Sequence, residues 1–158
     1  MPSLAYAREV AAETLSLLGP NPPSPAVPVL ALARLLRVQV QPWPFTRIVG
    51  GLFGGEDSPV IVFNRVLPNQ RVRLIVAHEL GHYLLHSRSR SYFKCTDNDK
   101  TRAEREANSF AFALLLPPDQ VKAFWRPYRT AGDVAATFGV PEEMAAWRLK
   151  GMGLISKG

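Results

Sequence analysis

The chain has 158 residues, 47% of them hydrophobic, a formal net charge of +6 and a single cysteine, Cys95. That length and apolar content exclude a disordered tail and suit one domain with at most a small appendage, and a lone cysteine excludes an internal disulfide. No apolar run approaches the roughly 18–20 residues of a membrane span, and Arg8, Glu9 and Glu13 interrupt any signal-like stretch, so a soluble, cytoplasmic protein is expected.

Residues 4–18 pattern as an amphipathic helix with Ser3 as N-cap, Gly19 and Pro20 as its stop, and Leu4, Ala7, Ala11, Leu15 and Leu18 on one face. A proline-rich connection, "PNPPSPAVP", leads to a second short helix over 29–36. The period then changes. "VQVQPW" (38–43) alternates as a half-buried strand does, and "IVGGLFGG" (48–55) with "PVIVF" (59–63) flanks a turn-prone segment. This predicts a hairpin, with Gly50 and Gly51 suggesting a bulge; the hairpin serves either as core sheet or as an edge strand that an extended peptide could pair with.

A long helix is expected over 69–86, apolar nearly all round and therefore buried. Residues 87–101 read as polar and irregular, 102–116 as another helix stopped by Pro117 and Pro118, and the remainder as short helices around Pro127, Gly132 and Gly139. The fold class is α+β, a small antiparallel sheet packed on helices. Residues 1–120 are expected to form the principal domain and 121–158 a helical tail packed on it, loosely like a helix-turn-helix. The second helix of the tail leads with Glu142 and Glu143, which repel phosphate, so direct DNA binding is the weaker reading.

The chemistry concentrates in "HELGHYLLH" (78–86), which holds all three histidines. His78 and His82 are four apart and share a helix face about 6 Å along the axis, so both rings can reach one ion. Glu79, turned about 100° from His78, is poorly placed to share that ion and well placed to take a proton from the water it activates. A chance HExxH does not explain two histidines and a glutamate inside a buried helix, where they would be costly without a metal or other partners. Zinc is the expected metal. His86 lies about 12 Å in axial rise from His78 and reads as a polar helix end or a support for the ligands.

A catalytic zinc needs a third protein ligand and an open fourth position. No histidine follows His86, which leaves Asp97, Asp99, Glu104 and Glu106. Glu104 has Asn108 one turn below it, and Asn108 can accept a hydrogen bond from a ligand histidine and fix its ring. Glu106 is expected to point away from Glu104, towards Phe110 and Ala113. Glu104 is therefore the favoured ligand, with Glu106 and the two aspartates as alternatives. Donors for an oxyanion include Tyr83, His86, Tyr92 and the arginines after the helix. Cys95 reads as a passive thiol, and the basic run around Arg88, Arg90 and Lys94 as a solvated loop.

The combination "AHELGHYLLH" with "EREANSFAFALLLP" resembles the ImmA/IrrE family of bacterial and phage metallopeptidases, over roughly residues 26 to 120. The resemblance implies a zincin-like domain in which His78, His82 and Glu104 hold zinc and Glu79 is the general base. It also implies a protein substrate, a helix-turn-helix transcriptional repressor whose cleavage switches on a stress or mobile-element response. The competing reading is a non-enzymatic DNA- or partner-binding regulatory module with a structural zinc. Retention of Glu79 and only three evident protein ligands favour the enzyme, because structural zinc sites are usually closed by four.

Overall fold

The computed structural model describes residues 3–20, 25–44, 47, 49–55, 57–86, 93–95 and 102–158. Two helices come first, α1 (Leu4–Ser16) and α2 (Val29–Leu35), followed by strands β1 (Gln39–Trp43), β2 (Gly50–Phe53) and β3 (Val60–Asn64). The chain continues through α3 (Asn69–His86), β4 (Phe93–Cys95), α4 (Arg102–Leu115), α5 (Pro118–Phe124), α6 (Ala131–Phe138) and α7 (Glu142–Gly151). The architecture is α+β, as expected.

Helix α1 begins where Ser3 leaves the helical region and its hydroxyl accepts from the Tyr6 amide at 3.1 Å, satisfying one of the free donors of the first turn. Its buried face is narrower than the predicted one. Ala7 and Ala11 are fully buried and Thr14 nearly so, while Leu4 is exposed. The small residues let α1 lie close along α4, against which it packs.

The sheet corrects the expectation of purely antiparallel pairing. Its order is β1-β3-β2-β4. β2 pairs antiparallel with β3 (Leu52 opposite Ile61) and with β4 (Gly51 opposite Lys94), but β1 runs parallel to β3 (Val40 opposite Ile61). Antiparallel β2 and β3 alternate in direction, and β1 docks on the outer side of β3 rather than on β2, its neighbour in sequence. That placement makes the β1 pairing parallel. The hairpin strands are therefore both internal, which is the core-sheet role of the two the sequence left open; the edges among the described strands are β1 and β4. β4 falls in the segment read as irregular, and its three residues are too few to establish an alternation. The predicted bulge is also absent. Pairing is regular through Gly50 and Gly51, and a Cβ at residue 50 would collide with Ile75 of α3 and lie 2.9 Å from the Val62 carbonyl. Gly50 is small because a helix rests on it.

Helix α3 has the predicted bounds and is buried without interruption from Ile75 to His82. It lies on β2 and β3 on one side and on α4 on the other. The second contact is closest at Gly81, where a Cβ would meet Phe110 Cδ1 at 3.0 Å and the Ala107 backbone at 3.2 Å. Packing thus supplies the reason for a residue that costs about 1 kcal/mol in a helix relative to alanine.

The last helices share the same core. Val134, Phe138, Met144 and Leu149 belong to one buried cluster with Ala7, Leu80 and Phe110. Thr130 and Asp133 cap α6 reciprocally, Asp133 N donating to Thr130 Oγ1 at 3.2 Å and Thr130 N to Asp133 Oδ2 at 2.7 Å. From α3, Arg73 Nε donates to the Gly139 carbonyl at 2.8 Å and Nη2 to that of Phe138 at 3.3 Å, which satisfies acceptors at the end of α6. Arg148 Nε of α7 donates to the Leu116 carbonyl at 3.0 Å. No described helix is long and apolar enough to cross a membrane.

Gly81→Val should lower the free energy of unfolding by about 1–3 kcal/mol, the usual cost of forcing extra methyl groups into a filled interface. Urea denaturation checks this, and unchanged stability would contradict the close seating of α4 on α3.

Candidate metal centre

Two helices build the site. One turn of α3 sets His78 and His82 side by side, and the seat at Gly81 brings the first turn of α4 over them. Glu104 then spans both rings, with Oε1 2.6 Å from His82 Nε2 and Oε2 2.9 Å from His78 Nε2. The two Nε2 atoms are 3.1 Å apart. All three side chains are buried, and their ligand atoms lie within 4.8 Å of one another. Donors about 2.0–2.1 Å from one tetrahedral zinc would be roughly 3.3 Å apart, so these spacings suit a single small ion. The donor set, two imidazoles and a carboxylate, suits it as well.

Each ring is held from behind. His78 Nδ1 lies 2.7 Å from Asn108 Oδ1, an arrangement in which the ring donates and Nε2 keeps its lone pair for a metal. His82 Nδ1 lies 3.1 Å from His86 Nδ1, and His86 Nε2 lies 2.8 Å from Glu106 Oε2. Glu106 also accepts from Arg102 Nε at 2.9 Å. Glu79, next to His78 on α3, is fully buried.

Glu106 lies on the flank of Phe110 and Ala113, away from Glu104 and outside the ligand trio, as expected; what the sequence reading missed is its partner on α3. Glu106 is 2% exposed and bound to His86. The buried arc of α4 is wider than the predicted stripe and takes in Glu104 at one margin and Glu106 at the other. The sequence carried a signal for this pairing: His86 repeats the four-residue step from His82, and Arg102 stands four before Glu106. Asp97, Asp99, Tyr92, Arg88 and Arg90, and the side chains of Lys94 and Cys95, lie outside the described residues.

Electrostatics favour the forms a metal requires. Burial alone would raise the Glu104 carboxyl, but hydrogen bonds and attraction from His78 and His82 hold it down at about 2. Burial pushes the His82 ring below its ordinary value, opposed by its bond to Glu104 and aided by repulsion from His78 and His86. Burial likewise acts to raise Glu106, and its bonds to His86 and Arg102 bring it below the usual carboxylate value.

Residues 33–150, about three-quarters of the chain, match the model of the IrrE N-terminal-like domain. The chain belongs to the ImmA/IrrE family of metallopeptidases. The match runs from α2 through most of α7, so it includes helices beyond residue 120. Two relatives carry the same similarity. An uncharacterized immunity region protein 2 of Bacillus phage phi105 is 33% identical over 117 residues, covering 72% of this chain and 74% of that protein. Metallopeptidase ImmA of Bacillus subtilis strain 168 is 32% identical over 105 residues, covering 63% of this chain and 60% of ImmA. The histidine–glutamate cluster fits the metal ion that this ImmA/IrrE membership implies.

Glu104→Ala should cost more than the 10–100-fold in metal affinity that outer partners of a site typically carry, and zinc titration measures it. Acid release of the ion should follow the imidazoles. With His82 lowered by burial, its ring stays neutral below the ordinary imidazole value, and Glu104 stays charged until about pH 2. Protons taken up on acid release above that pH should therefore go to imidazole and none to Glu104, as calorimetry in buffers of differing ionisation heat can count.

Proposed function

We propose that this protein is a zinc-dependent endopeptidase of narrow specificity that cleaves a helix-turn-helix transcriptional repressor and so releases a stress or mobile-element response. The observation that carries the reading is the buried convergence of His78, His82 and Glu104, with Glu79, the residue after His78, buried on the same helix. The relatives support its context, one named for an immunity region and the other as a metallopeptidase. A repressor substrate would place the reaction in the cytoplasm. In this reading residues 1–120 carry the peptidase unit, and 121–158 form a helical tail that helps dock the substrate.

His78, His82 and Glu104 would hold the zinc, and Asn108 would keep the His78 ring turned towards it. When bound, the zinc supplies a Lewis acid that polarises the scissile carbonyl and makes water acidic enough to attack near neutral pH. Glu79 does the proton work. Its carboxylate accepts the proton of the attacking water and returns it to the leaving amine. Burial of Glu79 and of both ligand histidines keeps bulk water from competing for these groups. Only three protein donors converge among the described residues, the number that leaves a position for substrate or water.

Glu79→Gln should retain zinc and lose proteolysis, since an amide can hold the water but cannot take its proton. The assay is incubation with a helix-turn-helix repressor encoded beside the protein, with and without chelator. Cleavage at parental rate by a zinc-loaded Glu79→Gln protein would remove the general-base role. Casein and short peptides should be poor substrates, because binding energy remote from the scissile bond is needed to position it. Fast, chelator-sensitive digestion of unrelated unfolded proteins would contradict narrow specificity.

A further inference from the structure

We propose that His86, Glu106 and Arg102 form a hydrogen-bond relay that fixes the ring of His82 for metal binding, making His86 a positioning residue and not a ligand. The inference rests on the metal reading of His78, His82 and Glu104.

The direction of each bond follows from the first. A metal at His82 Nε2 requires the lone pair there, so the ring proton sits on Nδ1. That Nδ1–H then donates across 3.1 Å to His86 Nδ1, which must be the acceptor. His86 accordingly carries its own proton on Nε2 and donates it across 2.8 Å to Glu106 Oε2. The remaining Glu106 oxygen accepts from Arg102 Nε at 2.9 Å. Every donor in the series meets an acceptor, and no proton is left over. Both nitrogens of His86 are engaged in this arrangement, which excludes it as a ligand without breaking the series.

The two ligand histidines are thereby supported unequally. His78 rests on a neutral amide, Asn108, in one step. His82 rests on a buried carboxylate reached through a second imidazole. A ring whose far nitrogen donates towards a carboxylate is held in orientation and made a more basic ligand. The relay also joins helices through two pairs spaced at one turn, His82 with His86 on α3 and Arg102 with Glu106 on α4. It ends at the surface, since the Arg102 side chain is 56% exposed while that of Glu106 is 3% exposed.

Zinc alone is the probe, in competition with a chromogenic chelator. His86→Ala and Glu106→Ala should each bind zinc about 10–100-fold more weakly than the parent. Because the links act in series, the double variant His86→Ala/Glu106→Ala should bind no more weakly than the weaker single variant. Glu106→Gln keeps an acceptor for His86 and should recover most of the loss. In the zinc-loaded parent, the His82 Nδ1 proton should appear as a low-field ring resonance protected from water exchange, and it should vanish in His86→Ala. Arg102→Ala alters an exposed side chain, so it should melt like the parent and still lose affinity several-fold. If the parent takes up no zinc, the relay and the metal reading fall together. If the parent binds and His86→Ala and Arg102→Ala bind as tightly, or if the two single losses multiply in the double variant, the relay alone is overturned.

Discussion

The close approach of α4 to α3 at Gly81 is the constraint on which the rest depends. A helix by itself can put His78 and His82 on one face, but it cannot supply a third donor to the same point. Glu104 comes from 22 residues beyond His82, and only the seat of α4 against Gly81, through Ala107 and Phe110, sets its carboxylate across both rings. The apolar packing around that seat also carries an electrostatic load. His78, Glu79, His82, Glu104 and Glu106 are all buried, and each would cost free energy if left without hydrogen bonds or charge partners. Leu80, Phe110, Leu114 and their neighbours contribute the burial that offsets it.

Much of the helical framework was legible in the sequence because helix signals are local. Asn69–His86 could be read to the residue from the apolar run, Ser3 marked the start of α1 through the chemistry of free backbone amides, and Pro117 and Pro118 marked the stop of α4. The HExxH spacing pointed at two of the three converging donors for the same reason, since residues four apart on a helix must be neighbours. The sheet was less legible. Which strand pairs with which is settled by non-local contacts, and β1 beside β3 leaves no trace in the alternation of either strand. Gly50 shows the difference in kind. Its sequence context suggests a bulge, whereas its actual role depends on Ile75, 25 positions away in the chain.

The partner of Glu106 escaped the sequence reading for a related reason. Helix phase separates Glu106 correctly from Glu104, but phase alone does not say what each flank faces. Both flanks of α4 are covered, one by the middle of α3 and the other by its end at His86, so two carboxylates on different sides are both buried against histidines. An element packed on two sides buries charges at both margins of its apolar stripe, and helix phase alone does not name their partners.

The shared core gives the bound ion a reach beyond its ligands. Arg73 ties the first half of α3 to the end of α6, and Leu149 and Phe138 sit in the same cluster as Leu80. Elements that share one core tend to unfold together, so a ligand that binds only the folded chain protects all of them. At a metal concentration 100 times the dissociation constant, that protection is about 2.7 kcal/mol. The C-terminal helices thus become a distant reporter of metal occupancy, their amide protons exchanging more slowly with solvent when the ion is present although none of their side chains touches it.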